Sequence, residues 1–276
     1  MNVKRNTLLA IVALSAFAAP SFADVIRENG SLETYIEVNT APEVTAHFDL
    51  GVPANGIGVR SAGDAYENIT NFTGSGATNG GAASISGVLT TKYLADDLNV
   101  GASNVGYSVT RQDWCVANFA ATAVTARMRT RWHMDNGSNA PGSYISGFSF
   151  TATAIPSGVT CYNYDNVTQI FAIPAAKIWM GITFDNSGAA GTTAAQLNNL
   201  GMGLFDPPIN GTSADEDFLT SAASVGNVNN PAGATRISPF AGNPAADYGW
   251  RISPEPSSLA LLGLGVIGLI RRRKTR

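Results

Sequence analysis

Three arginines set two residues apart, Arg127, Arg129 and Arg131, are the residues of this chain whose spacing most directly suggests chemistry. At period two they share one face of a strand, and Val124, Ala126, Met128, Thr130 and Trp132 take the other. Guanidinium forks match carboxylates, so such a stripe would suit an anionic polysaccharide or a carboxylate-bearing sugar. The plainer expectation, which we adopt, is a solvated face paired with Asp or Glu on neighbouring strands. Cys115 and Cys161 are the two cysteines. Neither has a second Cys or His at ligand spacing, so metal binding is not expected. In an oxidising compartment the simplest outcome is a disulfide, with two buried free thiols as the alternative. Closing a loop of about 47 residues would stabilise by roughly 4 kcal/mol in the chain-entropy estimate.

Catalytic patterns are sparse. His47 and His133 are far apart in sequence, and no Gly-x-Ser-x-Gly elbow accompanies them. There is no His-Glu-x-x-His, no phosphate loop ending in Lys-Ser or Lys-Thr, and no dinucleotide fingerprint. His133 is expected to be structural. Two carboxylates at the right separation would suffice for a glycosidase, and spacing alone leaves that open. Asp215-Glu216-Asp217 and the run from Asp135 to Asn139 carry oxygen ligands, but neither has the spacing of a known calcium loop, so solvated turns are expected. No enzyme activity, cofactor or metal is expected.

The elements that must position these residues are strands. The chain has 276 residues, 29 of them Gly and 13 Pro, with only 13% charged. Short segments alternate at period two between Gly, Asn and Pro punctuation, at 34–38, 44–50, 83–89, 105–110, 114–121, 124–132, 144–151, 178–184 and 248–252. Strands so spaced predict an all-β fold: a single β-sandwich or jelly-roll-like domain over 24–252. A short helix is expected at 194–200, capped by Thr192 or Thr193. The Gly-, Ser- and Asn-rich stretch 73–81 is expected to be a long loop.

Both ends read as address labels. Lys4 and Arg5, an apolar stretch over 8–18 and Ser21-Phe22-Ala23 make a secretory signal peptide, 1–23, cleaved before Asp24. The Sec translocon and signal peptidase are the partners this implies. The other end, 253–276, is a three-part tail. It has Pro254-Glu255-Pro256, twelve apolar residues from Leu259 to Ile270, and a basic stop of Arg271, Arg272, Arg273, Lys274 and Arg276. The prolines lack a donor and push the preceding residue to extended geometry, so Pro-Glu-Pro is expected to stay unfolded and accessible. As a helix the apolar run spans about 18 Å. That is short against a hydrocarbon core of about 30 Å, which suits a temporary transmembrane hold better than a permanent anchor. The basic stop would stay cytoplasmic and leave everything upstream outside. Seven of the 17 basic residues and one of the 20 acidic ones lie in these ends, so 24–253 carries 10 against 19, a net of −9. An acidic body repels nucleic acid, which is not expected as a partner.

The tail resembles the PEP-CTERM sorting signal of Gram-negative bacteria. That resemblance implies an exported protein, briefly held in the inner membrane and processed by an integral-membrane exosortase. It also implies residence in the outer envelope or extracellular matrix and a structural or adhesive role linked to exopolysaccharide and biofilm. A second resemblance covers 177–252. There Ile178-Trp179-Met180-Gly181, Leu197-Asn198-Asn199-Leu200-Gly201 and Tyr248-Gly249-Trp250-Arg251 look like the body of many such exported proteins. The alternative functions are a carbohydrate-binding jelly roll using Trp114, Trp132, Trp179 or Trp250 as sugar platforms, and a secreted glycan hydrolase or lyase.

Overall fold

The computed structural model describes residues 22–28, 31–55, 63–85, 87–165, 171–214, 217–223, 235–237 and 247–254. In chain order the strands are β1 (Phe22–Glu28), β2 (Ser31–Val38), β3 (Glu43–Phe48), β4 (Tyr66–Glu67), β5 (Phe72–Thr78), β6 (Ala83–Ile85), β7 (Val88–Thr90) and β8 (Lys92–Asn99). They continue with β9 (Ser108–Asn118), β10 (Val124–Asp135), β11 (Pro141–Phe150), β12 (Thr153–Ile155), β13 (Gly158–Asp165), β14 (Phe171–Ala172) and β15 (Lys177–Asp185). The last are β16 (Leu200–Phe205), β17 (Asp217–Ala223), β18 (Thr235–Ile237), β19 (Asp247–Tyr248) and β20 (Trp250–Pro254). The helical content among the described residues is one turn, α1 (Ala194–Leu197), and a 3₁₀ turn at Ala102–Asn104. The protein is all-β.

The strands form two sheets. The first runs β1-β2-β11-β10-β15-β8-β17-β18 with β12, β7 and β6 attached. The second runs β19-β16-β9-β13-β3 with β14, β20, β4 and β5 attached. Every pairing is antiparallel except β2 with β11. The expected all-β fold is thus built as two sheets of eleven and nine strands, several of them two- or three-residue pairings at the margins.

The main core lies between the sheets. The inward face of β10 (Val124, Ala126, Met128 and Trp132) meets Trp114 and Val116 of β9, with Phe148 and Phe150 beside them. Trp114 tilts onto Phe150 at 4.8 Å, and Trp132 donates its indole N–H to Gln112 at 3.0 Å. The other face of each sheet is covered too. Phe48, Phe72, Phe205 and the two cysteines make a second cluster behind β9 and β13. Tyr93, Ala95, Trp179 and Phe218 make a third behind β8 and β15. Central strands are therefore buried on both sides.

Three buried asparagine amides tie separate segments together. Asn118 donates to the carbonyls of Thr122 and Ile155, Asn79 to those of Lys92 and Ile182, and Asn68 to those of Phe205 and Tyr248. Asn79 and Asn118 thereby bridge one sheet to the other.

Several expected segments change shape. The run 83–89 turns back on itself as the β6–β7 hairpin, with Gly87 at φ 86°. The runs 105–110 and 114–121 overlap one continuous strand, β9, which starts at Ser108 and ends at Asn118. The stretch 73–81 is mostly strand β5, not a loop. Its glycines allow close approach, since a Cβ on Gly76 would lie 2.8 Å from the Met202 carbonyl and 2.9 Å from Ala117. The helix is one turn, capped by Thr193, whose hydroxyl accepts from the Gln196 N–H while the Gln196 side chain accepts from the Thr193 N–H. It ends early because Leu200 begins β16.

Candidate functional site

The arginine stripe lies on one face of β10, as its spacing requires, but the face is covered rather than solvated. Arg129 is 2% exposed and Arg131 fully buried. Arg127, nearest the edge, pairs with Glu37 of β2 at 3.3 Å and donates to Ser149 of β11 at 3.2 Å. Arg129 is held by Asp185 of β15 at 2.5 Å, and its guanidinium lies 5.2 Å from the Tyr35 ring centre. Arg131 is sandwiched between aromatic rings, 5.5 Å from the centre of Tyr35 and 5.2 Å from that of Tyr93, and it donates to the Tyr35 hydroxyl.

The sequence makes room for those rings with glycine. A Cβ on Gly181, opposite Arg131 on β15, would sit 2.3 Å from Tyr93. One on Gly147, opposite Arg131 on β11, would meet Tyr144 at 2.7 Å and Tyr35 at 3.0 Å. The cross-strand acid of the plainer expectation is present as Asp185 and Glu37. The aromatic cover was not foreseen, because Tyr35 and Tyr93 are distant in sequence and adjoin β10 only through the sheet order.

His133 continues the same row. It is fully buried, its Nδ1 lies 3.1 Å from the Gly142 carbonyl, and the Tyr93 and Tyr144 rings meet it edge-on. Burial, and then the charge of Arg131, pull its pKa down from 6.5 to about 3, so the imidazole is neutral. His47 is on β3 in the other sheet, exposed and 2.9 Å from the Thr160 hydroxyl. The two histidines do not meet.

Asp135 spends its carboxylate on the Gly137 N–H, the Trp179 indole and Lys177, as a turn residue does. Among the described residues no three His, Cys, Asp or Glu side chains converge on a metal position; Asp215 and Glu216 lie outside them. All four tryptophans are fully buried, so none offers a ring to a sugar. Cys115 and Cys161 face each other across β9 and β13 and form the disulfide, with Cα atoms 3.9 Å apart.

The C-terminal junction is the other candidate region. β20 is not an edge. It pairs with β9 on one side and β4 on the other, so Arg251 stands between Asp113 and Glu67. Trp250 and Ile252 are fully buried. Arg251 lies 3.5 Å from Asp64 and 4.0 Å from both Glu67 and Asp113, held by charge more than by hydrogen bonds. Arg111 forks onto Asp113 at 2.7 and 2.8 Å, and that hydrogen bond raises the Arg111 pKa. Nearby, burial first and then Asp96 and Asp247 raise the Tyr66 phenol well above its usual range. Ser253 donates to Asp64 at 2.5 Å. A shallow depression of about 460 Å³ lies beside the junction, with Asp64, Asn99, Asn104 and Thr212 among its lining.

Pro254 corrects one expectation. It is the last residue of β20, opposite Val109, after a register irregularity at Ser253. The described body therefore ends on a paired strand. A proline is tolerated there because pairing ends with it and the missing donor costs nothing further along. Glu255, Pro256, the apolar run and the basic stop Arg271, Arg272, Arg273 and Lys274 lie outside the described residues, as does most of the expected signal peptide.

No curated protein and no solved structure matches the chain. One family model does: the PEP-CTERM protein-sorting motif, over residues 254–274. It begins at the residue where β20 ends. The motif implies export and an exosortase as the processing partner. The chain is a PEP-CTERM domain-containing protein.

Proposed function

We propose that this chain is an exported envelope or extracellular-matrix protein whose β-body has a structural or adhesive role, not an enzymatic one, in an exopolysaccharide-rich biofilm. The observation that carries the reading is the sorting motif set directly against a body buried on both faces of its sheets. Residues 1–23 act as a signal peptide taken by the Sec translocon and removed by signal peptidase. Cleavage before Asp24 removes the Phe22↔Ile36 pair from β1 and leaves the register from Val25↔Thr34 onward. The apolar run 259–270 then holds the precursor in the inner membrane until exosortase acts.

The β-body suits a mechanical role. Arg127, Arg129 and Arg251 pair with carboxylates of the body, its tryptophans are in the core and a disulfide closes its central strands. Cell fractionation with and without exosortase tests the sorting. In the parent strain the mature form should run from Asp24 to a residue upstream of Leu259 and leave the inner membrane. Retention of Arg276 by intact mass in the parent strain would overturn the reading.

A further inference from the structure

β20 is locked between β4 and β9 as far as Ile252, so the tail is free to depart only from Pro254. From Pro254 to Leu259, the first residue of the apolar run, there are five residue steps, at most about 18 Å fully extended. Part of that reach is used in crossing the headgroup layer. Whenever the apolar run is inserted, the end of the body around Pro254 must touch the bilayer surface.

Beside the ion pairs of Asp64, Arg111, Asp113 and Arg251, that end carries one uncharged strip. Residues 98–110 and 171–176 contain no charged side chain. They are joined into one rim: the Gly106 N–H donates to Ile173, the Ile173 N–H to Tyr107, and the Val100 N–H to Ala176. β14 pairs with Val109 and Ser108 on the side of β9 away from Pro254, so the rim lies beside the exit point, across β9 from it. Tyr107 is 52% exposed and Val105 42%, among the few large apolar side chains that face solvent. Val44, Val52 and Phe119 are also exposed, Val44 in the middle of the same sheet beside Tyr162, and Val52 and Phe119 toward its far end. Nine residue steps along β9, about 30 Å, separate the two ends, beyond the tail's reach.

We propose that the Val105–Tyr107 rim is a membrane-docking surface. It seats the precursor body in the headgroup layer while the tail is inserted. The inference rests on the tail-insertion reading above. Tyrosine favours the water–lipid boundary, and an uncharged rim avoids the repulsion that a net −9 body would meet from anionic headgroups. The chemistry asks for a lipid surface.

The test uses the full chain with its disulfide closed, incorporated into phosphatidylcholine vesicles. An environment-sensitive fluorophore is placed on Tyr107→Cys, on Val105→Cys or, as the control, on Val52→Cys. Headgroup-level nitroxide lipid should quench labels at 105 and 107 at least about three-fold more than the label at 52. If the chain does not float with vesicles at all, tail insertion fails and the docking proposal falls with it. If it floats but all three labels are quenched alike, the rim proposal alone is overturned.

Discussion

Arg129 and Asp185 are a buried ion pair, and such a pair is a poor source of net stability but costly to break. Arg129→Ala would leave the Asp185 carboxylate with its Ser187 contacts and no cation. We expect a loss of about 3–5 kcal/mol in urea unfolding, and a clearly smaller loss in the double variant Arg129→Met/Asp185→Leu. Equal losses in the two would mean that the pair does not act as a unit. His133 adds a pH dependence. Its folded pKa of about 3 lies below its ordinary 6.5, so between those values the unfolded chain holds a proton that the folded chain lacks. Stability should therefore fall as the pH drops from 6.5 toward 3, by up to about 1.4 kcal/mol per pH unit from this group. Above 6.5 the group contributes no slope. Arg131, Tyr93, Tyr144 and the Gly142 carbonyl surround the imidazole, and none of them supplies an acid that would hold the proton. His133→Gln should flatten the acid limb of the stability profile, and an unchanged limb would assign it to carboxylates elsewhere.

At the level of elements, the disulfide joins the two central strands of the smaller sheet and closes a sequence separation of 46 residues. Cys115→Ala/Cys161→Ala should lower stability by about 2–4 kcal/mol, chiefly by freeing the unfolded chain. Melting with and without reductant reads the same difference, and an unchanged midpoint would remove the staple's role. The pairing, the Thr193 cap and strand β10 were legible in the sequence because each depends on local spacing or on a two-member choice. Strands β8 and β13 were not. Lys92-Tyr93-Leu94-Ala95-Asp96-Asp97 reads as a polar break, yet residues 93–98 are all buried, because β8 is covered on both faces and its aspartates satisfy groups from distant loops. Ser213 donates to both Asp96 and Asp97, and the Tyr248 N–H donates to Asp96. Period-two reasoning assumes one wet face, and this fold has few. The arginine row failed in the same way. Its common face was readable, but the rings that roof it arrive from β2 and β8, which only the sheet order brings near.

For the whole molecule, the boundary between body and tail is set by what β20 contributes. Trp250 and Ile252 fill the main core, and Arg251 neutralises a cluster of Asp64, Glu67 and Asp113 around it. Losing this strand would open the second sheet between β4 and β9 and leave those carboxylates facing one another in a water-poor site. A mature form ending at Pro254 should keep its melting temperature to within a few degrees of the form ending at Ser258. A form ending at Gly249 should lose cooperative unfolding altogether. Circular dichroism melts of the three chains, each starting at Asp24, make the comparison. If the Gly249 form melted like the others, β20 would be dispensable and the processing enzyme could cut inside the body. If the Pro254 form were already unstable, the tail would be part of the fold. The expected result confines cleavage to a window of a few residues after Pro254, between a strand the body cannot release and an apolar run that cannot leave the membrane.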